Sequence, residues 1–188
     1  MKKFELTSEF VTFLGKKLFR IKALVSFGDV KEGELGGLVE KEENLDQSGN
    51  AWVYGNARIS GDARVSGDAQ VSGNAWVSGD ARVSGDARVS GDAQVSGNAW
   101  VSGDAWVSGD AWVQNCRDYS ATSCFGSENR TTTFFRTKDG GISVRCGCFY
   151  GTLNEFREKV KERHGDSRLA KEYLMLADLM EFRLSKDE

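Results

Sequence analysis

From Ala51 to Val113 the chain repeats one hexapeptide eleven times, with apolar side chains at the same two places each time. Alanine comes first (Ala51, Ala57, Ala63 and on to Ala111). Two residues later comes an aliphatic (Val53, Ile59, Val65, Val71, Val77, Val83, Val89, Val95, Val101, Val107, Val113). Residues two apart on a strand point to the same face. Each Ala-x-Val therefore sends two side chains inward and the middle one outward. Ser or Tyr, Gly, and Asp or Asn follow, a set suited to a tight corner. A period of six matches neither an α-helix nor a simple hairpin array. It predicts a solenoid with three flat sides and one hexapeptide per side. Eleven repeats make nearly four coils. At about 4.8 Å between stacked strands the prism is roughly 18 Å tall.

With three repeats per coil, the outward residues sort into three columns. These are Trp52, Gln70, Arg88 and Trp106; Arg58, Trp76, Gln94 and Trp112; and Arg64, Arg82 and Trp100. No column is a ladder of one residue type, which a flat repetitive ligand would require. Residues 57–80 and 81–104 are identical except for Ile59 against Val83. The duplicated unit is four hexapeptides, so the second copy is displaced by one face.

The flanks break the period. Residues 1–28 carry Phe4, Leu6, Phe10, Val11, Phe13, a Gly15-Lys16 turn, then Leu18, Phe19, Ile21, Leu24 and Val25. This predicts two or three short strands. Residues 29–50 keep glycine corners but lose the strict six, as an irregular first coil would. Together 1–50 form an N-terminal β cap that shields strand edges. After the repeat (51–113), residues 114–188 form a small α+β domain. Thr131–Arg136 is a strand, Asp139-Gly140-Gly141 a hairpin turn, and Ile142–Cys148 the return strand. Thr152-Leu153-Asn154-Glu155 is a capping box. It opens a helix with Leu153, Phe156 and Val160 inward, ending near His164-Gly165. A second helix follows from about Asp166, with Leu169, Tyr173, Leu176, Leu179, Met180 and Leu184 as its apolar stripe. The fold class is mainly β: a parallel β-helix between a β cap and a hairpin with two helices.

Charge narrows the partners. The 188 residues carry a net −3, so no basic field points to nucleic acid. No apolar run is long enough to span a membrane, and the N-terminus has lysines but no apolar stretch of a secretory signal. The expected location is the cytoplasm, where Cys116, Cys124, Cys146 and Cys148 are thiols. Cys-x-Cys places two thiols on one strand face. They suit small buried hydrophobes or, with Cys116 and Cys124, a weak zinc set; no cofactor is expected.

The segment with most chemistry runs from Gly126. Gly126, Ser127, Asn129, Arg130, Thr131, Thr132 and Arg136 combine a turn, hydroxyls and guanidinium groups, with Arg145 on the partner strand. Backbone amides, hydroxyls and arginine are what an anion needs. The helix start at Thr152 adds its dipole, and Phe134, Phe135, Phe149 and Tyr150 offer flat rings. An ordinary loop and amphipathic strand is the other reading.

The repeat Val-Ser-Gly-Asp-Ala-x resembles the left-handed β-helix of the hexapeptide-repeat superfamily. Over nearly its full length the chain resembles phage- and prophage-associated hexapeptide-repeat proteins described as polymer-forming or cytoskeletal-like. The likeness rests on IKAL at 21–24, GDVKEGELGGLVE at 28–40, ENL at 43–45, the repeat, GSENRTTTFFR at 126–136 and CGCFYGTLNEF at 146–156. It implies a bacterial host cytoplasm and a parallel homotrimer, with Trp52, Trp76, Trp100, Trp106 and Trp112 as contacts between prisms. Acyltransferases of the superfamily use a catalytic His and a loop thrown from the coil. The single His164 lies outside an uninterrupted repeat, so acyl transfer is the weakest reading. The expectation is a non-enzymatic trimer that sequesters a small anionic or nucleotide-like ligand, such as a host defence signal, between C-terminal domains. A structural spacer or self-assembling scaffold is the alternative.

Overall fold

A computed structural model describes residues 2–185; Met1 and residues 186–188, the outer ends of the first and last expected segments, lie outside them. Each hexapeptide forms a two-residue strand and a corner. In chain order β4 to β14 are Trp52–Val53, Arg58–Ile59, Arg64–Val65, Gln70–Val71, Trp76–Val77, Arg82–Val83, Arg88–Val89, Gln94–Val95, Trp100–Val101, Trp106–Val107 and Trp112–Val113. Each strand from β4 to β11 pairs in parallel with the strand three repeats on, as in Gln70 with Arg88 and Arg88 with Trp106. Gln70 N–H donates to Ala87 O and Ser72 N–H to Val89 O, each at 2.9 Å. The three predicted columns are thus the three sheet faces. All the repeat alanines and aliphatics are fully buried.

The corner glycine has two reasons to be there. Gly73 has φ +71°, where an L side chain is strained. It also stacks over the next coil, so that a Cβ would lie 2.9 Å from Gly91 O. Neither constraint can be relieved by moving a side chain, since the obstacle is backbone.

The N-terminal residues extend one face. β1 (Phe4–Phe13) and β2 (Lys16–Ala23) form an antiparallel hairpin through a Leu14-Gly15 turn. β2 pairs with β3 (Leu35–Val39), which runs parallel to β5. Leu45 takes the valine position over Val65, and beside it Asn44 is buried, its amide donating to Gly61 O and Ala63 O at 3.0 and 2.8 Å. Lys3 enters the same end. Its ammonium donates to Ala51 O at 2.9 Å and lies 4.9 Å from the Phe27 ring centre. Burial pushes its pKa down to about 8.

The C-terminal unit is larger than the predicted hairpin. β15 (Tyr119–Phe125), β16 (Arg130–Arg136), β17 (Ile142–Cys146) and β18 (Phe149–Thr152) make a four-stranded antiparallel sheet, followed by α1 (Leu153–His164) and α2 (Arg168–Leu184). The predicted return strand ends early, because Gly147-Cys148 is itself a two-residue turn. One face of the sheet adds Phe135 to the solenoid core; the other packs Phe134 and Val144 against both helices. Leu179, expected in the buried stripe, is exposed with Met175 and Phe182. Ala177 fills the interior in its place, beside the expected Tyr173, Leu176, Met180 and Leu184. Among the described residues no helix is long and apolar enough to cross a membrane.

Candidate functional site

Alternation along β16 divides the residues singled out from the sequence. Arg130, Thr132, Phe134 and Arg136 share the helix side, while Thr131, Thr133 and Phe135 share the solenoid side. Thr133 Oγ accepts from Trp106 N–H at 3.0 Å. Arg145, the partner of Thr133, lies with its guanidinium carbon 3.6 Å from the Trp106 ring centre. Arg145 therefore joins sheet to solenoid. Arg136 is equally occupied. It donates to Leu184 O and Ser185 O at 2.7 and 2.8 Å and pairs with the buried Asp118 at 3.3 Å. Thr132 is fully buried and donates to Cys146 Sγ at 3.2 Å, and Thr131 shares a hydrogen bond with Ser123. The three arginines do not converge: Arg136 lies about 20 Å along the strand from Arg130, and Arg145 points to the other face.

Arg130 remains, and it lines a cleft of about 520 Å³ between the β17–β18 turn, the 126–129 loop and α1. The floor is aromatic. Phe149 meets Phe156 at 5.6 Å, Phe156 meets Tyr173 edge-on at 5.8 Å, and His164 stacks on Tyr173 at 5.6 Å and 24°. The rim is cationic, with Arg130, Lys159 and Arg163 against the carboxylate of Glu128. Arg130 approaches Glu128 only to 3.9 Å, both being exposed, so that contact contributes little. Lys159 pairs with Glu162 at 2.7 Å. Gly147 leaves room for the guanidinium, since a Cβ there would sit 3.2 Å from Arg130 Nη1. Ser127 N–H donates to the Tyr173 hydroxyl at 3.2 Å, and that hydroxyl occupies the space a Gly126 side chain would need. Asn129 takes a left-handed φ of 49° in the same loop. Gly126 and Asn129 thus shape the cleft, while Ser127 and Arg130 line it.

The start of α1 offers an anion nothing. Its capping box is closed, with Glu155 accepting from Thr152 N–H at 2.7 Å and Thr152 Oγ accepting from Glu155 N–H at 3.2 Å. The Thr152 backbone bond holds the Glu155 carboxyl below its usual range. The charges that matter stand at the other end of α1. Phe156, Lys159, Val160, Arg163 and His164 follow helical spacing, so the buried stripe becomes basic in its last turn. The sequence contains that signal, but an i, i+4 basic pair also serves to offset a helix's negative end.

The cysteines correct the expectation of buried packing. Cys116, Cys124 and Cys148 are exposed and Cys146 is half-buried. Among the described residues no three His, Cys, Asp or Glu side chains meet as a metal-holding group. The tryptophans divide too. Trp52, expected between subunits, is fully buried under its own chain, 6.3 Å from Phe4 and 5.4 Å from Phe27. Trp76 is covered by Phe13 at 5.2 Å and Trp106 by Arg145. Trp100 and Trp112 are exposed, on different faces.

Residues 57–73, 69–82, 81–93 and 93–109 match a family model described as the YdcK beta solenoid repeat. No curated protein matches the chain. The match lies within the coils whose pairing is described above, and the chain is a repeat β-helix protein, similar over that stretch to the YdcK beta solenoid repeat.

Proposed function

We propose that this is a non-enzymatic, phage-type binding protein that assembles as a homotrimer in a bacterial cytoplasm. The coil is read as left-handed and residues 1–50 as its cap, in keeping with the hexapeptide pattern. The C-terminal cleft holds a small anionic ligand with a flat group, of the nucleotide kind, and sequesters it. The observation carrying this reading is an aromatic floor of Phe149, Phe156 and Tyr173 under a rim of Arg130, Lys159 and Arg163. Rings take a base by stacking, and guanidinium groups take a phosphate by paired hydrogen bonds. The site residues move accordingly from Arg136 and Arg145 to Lys159, Arg163, His164 and Tyr173.

Native mass spectrometry of freshly purified protein gives the stoichiometry and any bound mass. Titration with nucleoside monophosphates and inorganic phosphate, followed by calorimetry, tests the site. Arg130→Ala and Arg163→Ala should each weaken binding about 10-fold or more, as expected for lost charged hydrogen bonds. Unchanged affinity in both variants would sink the cleft assignment.

A spacer role for the solenoid is favoured by the duplication of 57–80 in 81–104. Deleting 81–104 should leave a folded protein about 6 Å shorter, with its two ends turned by one face. Loss of folding would count against that role.

A further inference from the structure

The three faces of the prism differ in what the chain lays over them. The β5-β8-β11-β14 face receives Phe13 across Trp76 and Arg58. The β4-β7-β10-β13 face is covered at one end over Trp52 and at the other by Arg145 and Tyr150. Among the described residues the outward column of the β6-β9-β12 face carries no ring or cation from another segment, and only Tyr119 reaches its end, donating to Trp100 O. The face presents Arg64, Arg82 and Trp100 in one straight column, each directly over the last. Trp100 is 52% exposed, with its indole N–H donating to Ser84 Oγ at 3.1 Å. A groove of about 630 Å³ runs along the column, with Glu42, Glu43 and Asp46 at its N-terminal end.

Arg64 and Arg82 have no carboxylate partner among the described residues. Like charges stacked at one-coil spacing repel one another, so the column calls for negative charge from outside the chain. The corner beside this face carries it. Asp68, Asp86 and Asp104 recur there every eighteen residues, exposed and without an ion pair among the described residues. The two columns are adjacent on one prism and do not reach each other within it. Both repeat at the rise of one coil, about 4.8 Å. A partner that matches the arginines on more than one rung must repeat at that same rise, and another copy of this solenoid does so.

We infer that the β6-β9-β12 face is the docking surface for a second copy of this chain. That copy lies parallel and in register, its Asp68-Asp86-Asp104 corner against Arg64 and Arg82, with Trp100 covered at the end of the contact. Each copy offers both columns, so the contact is heterologous and propagates around a ring. The inference rests on the assembly proposed above and names the face it uses.

The test compares the oligomeric state, by native mass spectrometry and sedimentation at matched concentration, of the wild type and two variants. One carries Arg64→Glu and Arg82→Glu; the other carries Asp68→Lys and Asp86→Lys. All four positions are exposed, and a circular dichroism melt shows that each variant is folded. Each variant alone should dissociate at concentrations at least 10-fold higher than the wild type. A third variant carrying all four substitutions in one chain should regain the wild-type oligomer, because every contact around the ring then bears the reversed pair. An oligomer that persists in both variants overturns this face and leaves the assembly itself standing. A wild type that is monomeric throughout overturns both. Dissociation of both variants without recovery in the four-substitution chain overturns the pairing of these two columns.

Discussion

In the solenoid Val71, Val89 and Val107 stand over one another at one-coil spacing. In the C-terminal unit Phe134, Phe156 and Tyr173 come from β16, α1 and α2 and meet edge to face at 5.8 Å. The first core is one contact repeated, so every coil needs the same small residues and the outward column is free to vary. The second core is a set of contacts each made once, and it leaves a cleft where rings and cations from distant segments meet. Variation in the coil is therefore cheap outside and forbidden inside, whereas in the C-terminal unit single residues hold whole elements in place.

Alanine at two glycines breaks this comparison most directly. Gly73→Ala strains a positive φ and drives Cβ against the Gly91 backbone; it should cost about 3 kcal/mol. Gly140, with φ +85° and nothing within 4 Å, has only the conformational penalty, about 1 kcal/mol on replacement by alanine. Denaturant midpoints measure both, and equal losses would show that close coil stacking is not what restricts the corner. Next in size is Asp118→Ala. Asp118 accepts from the Gln114 and Asn115 backbone N–H groups at 2.9 and 3.0 Å and pairs with Arg136, which in turn holds the end of α2. A loss of about 2 kcal/mol is expected. Hydrogen exchange should quicken in β16 and α2 and stay unchanged in the central coils; uniform quickening would argue that the two regions open together.

A pH dependence is expected at the solenoid's first end. The Lys3 amine takes its proton at about 8 when folded, against an ordinary 10.5. Between those values the unfolded chain holds the extra proton, so this residue's contribution to stability rises with pH across that window and is flat below it. Melting curves of the wild type should show this rise relative to Lys3→Met. Parallel pH profiles would remove the buried amine from the account.

The legible part of the fold was the part governed by a repeating local rule. Period six, small residues at the corners and inward Ala-x-Val set the strands, the three columns and their register, because each coil is held by neighbours of identical sequence. The helix starting at Leu153 was legible for the same kind of reason, since its capping box is written within four residues. The ligand segment was half legible. Ser127 and Arg130 do line the cleft, but nothing local distinguishes Arg130 from Arg136 and Arg145. Which face of the sheet, and which end of the strand, an arginine occupies depends on segments far along the chain.

The sequence by itself determined the coil, its pairing and its duplicated unit, since a constraint repeated every six residues leaves one register in which all valines are buried. Only the tertiary structure decided which outward residues stay outward. Trp52 is covered because Phe4 and Phe27 arrive from outside the repeat. Arg136 is withdrawn because α2 ends beside it, and the cleft takes Lys159 and Arg163 from a helix that the Gly126 segment meets only after folding. Those outcomes follow from long-range packing, which no single stretch of the chain encodes.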